Sequence, residues 1–190
     1  KLSLIVATIG TVAYSLLGTL FARSHSKLSR VIAFASWLPW AIPGLLMGTA
    51  FLTIFLQVPG LSSSLYTLFP LALVLIVQGL PLGSQMMSAS VNQISPQLEE
   101  ASAMSGAGWL KTYLRVTLPL AAPMFVSVFV VTFMSAIRDI SSTVLLAAPG
   151  TRTLSLLMFQ FATSSEPEAA AVLGVVIACI ALAMTVIVLR

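Results

Sequence analysis

The sequence is poor in charge. Of its 190 residues only nine are Lys or Arg and five are Asp or Glu, 7% in all. A soluble domain carries about 25%, so this composition, with 58% hydrophobic residues, excludes an ordinary water-soluble fold. Cysteine is nearly absent. The single Cys179 can form neither an internal disulfide nor a thiolate metal cluster, and within an apolar run it reads as buried filler. The one histidine, His25, sits in a short basic loop with no second ligand nearby and reads as a solvated loop residue. Net charge is +4, yet no basic arm of the kind that binds nucleic acid is present. No metal site is expected.

Charge is missing altogether from five long runs, 2–22, 31–56, 65–91, 116–137 and 169–189. Uncharged apolar runs of about 18 residues or more are membrane-span candidates. In hydrocarbon the backbone must satisfy its own hydrogen bonds, so each run is expected to be helical. A β-barrel would show short alternating segments instead. The fold class is therefore all-α, an integral membrane bundle of five transmembrane helices forming one domain, 1–190. The fourth span is carried on to 148, and a polar loop occupies 92–118. The chain starts at Lys1 rather than Met, which suggests a fragment or half of a longer chain. The first run is longer than a signal-peptide core, which argues against cleavage of 1–24.

The few cations report topology. Arg23, Lys27 and Arg30 lie after the first run, Lys111 and Arg115 after the third, and Arg190 at the end. With five spans these six of the nine positive residues share one side. Short loops rich in Lys and Arg stay in the cytoplasm, which places the N-terminus outside and the C-terminus and the 92–118 loop inside. Glu166 and Glu168 then fall outside. Between them and the fourth span, LSLLMFQFA is apolar but too short to cross and is expected along the outer interface or dipping partway in.

The spans are not plain anchors. SWLPWAIPG (36–44), QGLPLG (78–83) and LPLAAP (118–123) put proline and glycine inside them. Such breaks are tolerated where neighbouring helices or a cavity satisfy the freed carbonyls. Small residues (Gly44, Gly48, Ala50; Ala121, Ala122, Ser127; Ala169 to Ala171, Gly174) allow close helix approach. No internal repeat is evident.

The polar loop carries four of the fourteen charged side chains, Glu99, Glu100, Lys111 and Arg115. Ser95-Pro96 predicts a helix start, with a capping hydroxyl and then proline at the first helical position. Gly106 predicts its end. Glu99 and Glu100 suit the N-terminal half of that dipole, and the small Ala101, Ser102, Ala103 and Ser105 would let a partner come close. A second short helix over 108–117 is amphipathic and can lie on lipid. A loop that only connected two helices could be far shorter.

Glu100-Ala101-Ser102, three residues, Gly106, nine residues, then Val116-Thr117-Leu118-Pro119 resembles the "EAA" signature of permease subunits of binding-protein-dependent ABC importers. That signature reads Glu-Ala-Ala, three residues, Gly, nine residues, Ile, any residue, Leu-Pro. Every spacing matches, with Ser102 in place of the second Ala and Val116 in place of Ile. The resemblance implies a type I ABC importer permease fold like that of the methionine permease, in a bacterial inner membrane. It implies that 96–106 is a cytoplasmic coupling helix, with Glu99, Glu100, Ala101, Ser102, Ser105 and Gly106 as the ATPase-coupling residues. It also implies three partners: cytoplasmic ATP-binding subunits, a second permease half (identical, homologous or fused) and a periplasmic or lipoprotein substrate-binding protein. This chain has no GxxxxGK[ST] phosphate loop, so ATP is used by the partner subunit and the chain is not itself an enzyme.

LPWAIPGLLMGTAFL (38–52) and AIRDISSTVLLAAPGTRTLS (136–155) are similar to the ferric-iron group of that family and its thiamine and phosphonate relatives, while sulfate and polyamine permeases carry similar stretches. Ferric iron or a related small solute is the substrate this implies. Arg138 falls near the outer edge of its span, where it and Asp139, Ser141, Ser142 and Thr143 are candidates for a pathway or gate, set against a purely structural ion-pairing role. Two other classes fit the sequence less well. A membrane enzyme needs clustered ionisable groups at depth, and an ATP-independent secondary transporter or channel usually shows intramembrane acids and inverted repeats. The five runs supply none of these.

Overall fold

The computed structural model describes residues 1–24, 26–148, 150–164 and 166–189. His25 and Arg190 lie outside these. The described residues are helical with connecting turns and contain no strand. Three of the five apolar runs form unbroken helices long enough to cross a bilayer: α1 (Leu2–Arg23), which precedes the first bend, and further along the chain a helix at Phe69–Asn92 and another at Pro167–Leu189. At 1.5 Å per residue, 22 residues reach about 33 Å, the thickness of a hydrocarbon core.

The other two runs are bent. α2 (Lys27–Ala35) and α3 (Leu38–Ala41) meet α4 (Gly44–Gln57) at 108°. The break follows from Pro43. A residue before proline is pushed out of the helical region, and Ile42 is extended at φ −98°, ψ 121°. A 3₁₀ turn, Ser62–Tyr66, then leads into α5 (Phe69–Asn92), so the third span starts four residues later than the apolar run suggests.

The second bend closes the polar loop. α6 (Pro96–Met104) and α7 (Trp109–Thr112) precede a π-helical turn at Tyr113–Thr117 and a last short turn, α8 (Leu118–Leu120). Pro119 has no N–H for the carbonyl four residues before it. The ladder there widens, and Leu118 N–H donates to Tyr113 O instead. The segment Trp109–Leu120 then meets α9 (Ala122–Arg138) at 78°. α9 ends at Arg138, because Asp139 is extended and its side chain starts a new turn. The expectation of a span reaching 148 is corrected accordingly: residues 139–148 are not helical, and 141–146 are turn. α10 (Leu154–Thr163) is the expected short apolar helix, and α11 (Pro167–Leu189) completes the bundle.

The core forms where α1 lies against α5 and α9. Tyr14 on α1 is fully buried, and its hydroxyl donates to Ile76 O (2.6 Å), five residues before the helix-interior Pro81. Its ring fills the space over Gly79 and Gly83, where any side chain would collide with it. At Gly18 an added Cβ would come within 2.5 Å of Met87 Cβ and 2.8 Å of Ser84 O, so α1 and α5 touch nearly backbone to backbone. α11 packs more lightly. It buries Ile177 beside Ala7, Phe133 and Ile137 and leaves Val172, Val175 and Leu182 exposed. Cys179 is exposed on this helix, so it is not buried filler; α11 presents only one stripe to the bundle and Cys179 is off it.

Candidate functional site: the loop between α5 and α9

α6 is a short helix that stands out from the bundle. None of its residues is buried. Glu100, Ala101 and Ala103 are exposed, and Met104 is 91% exposed. Its N-terminus differs from the sequence expectation. Ser95 occupies the capping position, but its side chain makes no capping bond; instead its carbonyl accepts from Leu98 N–H (3.2 Å). Pro96 stands at the first helical position, as expected.

The C-terminus is built as a Schellman motif. Ala107 N–H donates to Ser102 O (3.2 Å), Gly106 N–H donates to Ala103 O (2.9 Å), and Gly106 adopts φ +82°. That left-handed conformation is costly for any residue with a Cβ. Two hydroxyls reinforce the end. Ser105 Oγ donates to Ser102 O (2.7 Å), and Ser102 Oγ shares a hydrogen bond with Thr112 Oγ1 (2.9 Å). Ser102 thus ties α6 to α7, with its side chain partly buried there.

Glu99 does not face outward with its neighbour. Its Oε2 accepts from Arg23 Nε at 3.0 Å, forming the one ion pair among the described residues, and its Oε1 accepts from Thr117 Oγ1 at 3.0 Å. Arg23 also donates from Nη2 to Ile94 O (2.8 Å). A second tie runs deeper, where Ser15 Oγ and Tyr113 OH share a buried 2.6 Å hydrogen bond. Outside these ties, Trp109 stacks on Tyr113 with ring centres 5.5 Å apart, and Leu110, Lys111, Leu114 and Arg115 are exposed around it. This is the amphipathic face the sequence suggested.

Of the second group, Asp139, Ser141, Ser142 and Thr143 form one hydrogen-bonded turn, and Arg138 stands apart from it. Asp139 and Ser141 lie at the far end of α9 from the loop, beside Gln78 of α5. Asp139 Oδ1 accepts from Ser142 N–H (3.2 Å), Ser142 Oγ (2.5 Å) and Thr143 N–H (3.3 Å), and its backbone carbonyl accepts from Ser155 Oγ (2.7 Å). Ser142 and Thr143 are fully buried. Their hydroxyls are used inside the turn, with a 3.1 Å bond from Ser142 Oγ to Gln78 Oε1. Gly44 and Gly48 of α4 make room for this turn; a Cβ on Gly44 would strike Ser141 Oγ, and one on Gly48 would sit 2.6 Å from Ser142 O.

Asp139 also borders a cavity of about 250 Å³ between the break after α3, α5 and α9, walled by Trp40, Gln78, Leu82, Thr132 and Ser135 among others. Arg138 points elsewhere, into a groove against α11 with Met134 and Ile177. The two neighbouring charges are therefore separated. Sequence reasoning missed Arg23 and Thr117 as partners of Glu99, and Gln78 and Thr132 as cavity walls. Gln78 offered a signal, as one of two amides, with Gln85, in an apolar run.

Comparisons with known proteins agree with this architecture. The family described as "Binding-protein-dependent transport system inner membrane component" matches residues 15–190. Among sequence relatives, the "probable sulfate transport system permease protein" of Prototheca wickerhamii is 27% identical over 96% of this chain and 76% of its own length. The ferric transport system permease protein of Actinobacillus pleuropneumoniae is 24% identical over 96% of this chain but only 27% of its own length. The chain thus spans about a quarter of that relative. Among solved structures, a chain of the MetNI methionine ABC transporter in an inward-facing form superposes with TM-score 0.73 over 98% of this chain and 89% of that one, at 20% identity. A chain of a bacterial ABC transporter that imports the acidic polysaccharide alginate gives 0.79 over 99% and 75%, at 18% identity. The fold is that of ABC importer permeases.

Proposed function

The chain belongs to the family of binding-protein-dependent transport system inner membrane components, and from that membership we propose that it is the pathway-forming permease subunit of an ATP-binding-cassette importer, coupled through α6 to a separate ATPase. The observation that carries the coupling role is α6 itself: a protruding helix with small exposed residues, closed by a Schellman turn at Gly106. It carries the Glu100…Gly106…Leu118-Pro119 spacing of the EAA signature. Glu100, Ala101 and Ser105 meet a cleft on the ATPase, while Ser102 and Gly106 hold the helix in shape. The loop faces the cytoplasm, with the N-terminus of this segment outside and its C-terminus inside.

The partners are cytoplasmic ATP-binding subunits, a second permease half (identical, homologous or fused) and a periplasmic or lipoprotein substrate-binding protein. The cavity beside Gln78 and Asp139 is part of the pathway. Ferric iron or a related small solute is the cargo; ferric permeases stand among the relatives, beside a sulfate permease.

The test is co-purification of the detergent-solubilised chain with its ATPase subunits, comparing wild type with Glu100→Arg and Gly106→Val. The expected result is loss of the ATPase from both variants with an unchanged elution profile of the bundle. ATPase retained by both variants would take the coupling role away from α6, and its absence from the wild type would favour an ATP-independent carrier.

A further inference from the structure

The loop has to do two things at once: present α6 to a partner and pass its displacement into the membrane helices. The exposed residues serve the first task. For the second, two residues of α1 among those described, Ser15 and Arg23, bind the loop through their side chains, and the Arg23 tie rests on a charge. Arg23 is the last residue of α1. Its guanidinium donates both to Glu99 on α6 and to Ile94 O just before α6, while Thr117, at the foot of the fourth span, donates to the other oxygen of the same carboxylate. The partners are 76, 71 and 18 residues apart in sequence.

We propose that Arg23, Glu99 and Thr117 form a clamp that makes α6 move as one body with the end of α1 and the start of the fourth span, so that Glu99 is a positioning residue inside the permease and not a contact to the ATPase. This rests on the coupling role proposed for α6.

The geometry fits a transmitting joint. The ion pair is about one-fifth exposed on each side (21% and 22%), so it is shielded from full screening while water still reaches it. An isolated surface pair holds its partners weakly. Here Arg23 uses two different nitrogens and Glu99 both of its oxygens, and this two-point geometry fixes orientation as well as distance. Glu100, the next residue, is exposed and has no such partner among the described residues. Adjacent carboxylates therefore divide the work: Glu100 looks outward and Glu99 inward. α1 in turn is locked to α5 through Tyr14 and Gly18, and α5 walls the cavity at Gln78. Displacement of α6 is thus handed to a helix that borders the pathway.

The test uses the whole transporter, with its ATPase and binding protein, reconstituted in liposomes. Co-purified ATPase, ATP hydrolysis and solute uptake are measured for wild type, Glu99→Gln, Arg23→Gln, Thr117→Val and the swap Arg23→Glu/Glu99→Arg. In the two Gln variants the expected result is normal ATPase co-purification and continued hydrolysis, with uptake per ATP falling about tenfold, a size ordinary for coupling between sites. Thr117→Val should show a smaller loss, and the swap should recover part of the uptake. A merely structural defect would lower hydrolysis and uptake together and would not respond to the swap.

Loss of bound ATPase in Glu99→Gln alone would make Glu99 a contact residue and overturn the clamp. Unchanged uptake per ATP in both Gln variants would also overturn it, leaving the role of α6 intact. Absence of ATPase from the wild type would remove the underlying reading and the clamp with it.

Discussion

Two carboxylates organise opposite ends of this bundle in opposite ways. Asp139 gathers donors from the residues that follow it, three and four positions on. Glu99 gathers donors from 76 residues before it and 18 after it. The first is a local device: an acid ends a helix, caps the next turn and is largely consumed by its own neighbours. The second is a tertiary device that holds three separate segments together. In a chain with only five acidic residues, the contrast shows that a carboxylate near a membrane edge is understood from the sequence distance to its donors. A cap stabilises the fold, whereas a clamp between elements can also transmit motion.

The largest stability effect is expected at the cap. Asp139→Ala leaves the amides of the buried Ser142 and Thr143 without their acceptor, at a cost of about 2 kcal/mol. A thermal-unfolding series in detergent should show the midpoint lowered by about 5 °C; a midpoint within 1 °C or so of wild type would mean that water replaces the carboxylate and that the turn needs no cap. Glu99→Gln is expected to cost less, about 1 kcal/mol, because the pair is partly solvated and an amide oxygen can still accept from Thr117. The same thermal assay reads it, and the comparison inverts if Glu99→Gln destabilises more than Asp139→Ala. Arg138→Gln should do least. That side chain is exposed and takes part in no ion pair among the described residues, so both the midpoint and solute uptake should match wild type; a selective loss of uptake would return Arg138 to the pathway.

Much of the architecture was legible in the sequence for one physical reason. A bilayer requires long uncharged helices, so the five runs announced themselves, and the bend within 31–56 was signalled by Pro39, Pro43 and Gly44. The angle of 108° was not legible, because proline says where a helix breaks but not where the next one goes. α6 was readable at both ends from Pro96 and Gly106, whose backbone limits are local. The unused hydroxyl of Ser95 was not, since a capping side chain competes with the backbone route that Leu98 N–H takes. The Glu99 clamp and the fit of Tyr14 over Gly79 and Gly83 could not be read either. Both depend on which helix lies beside which, and spacing within one segment carries no trace of that. The exposure of Cys179 was not legible for a related reason: an apolar residue in a span faces lipid as readily as protein.

The central claim is that α6 is where this permease meets its ATPase, and site-specific photo-crosslinking in intact membranes tests it most directly. A photoreactive residue is placed at Met104, which is almost fully exposed on α6, and as a control at Val172, exposed on α11. The account predicts that position 104 captures the ATPase subunit and position 172 does not. Capture from 172 alone, or from neither position in a complex that is importing solute, would contradict it.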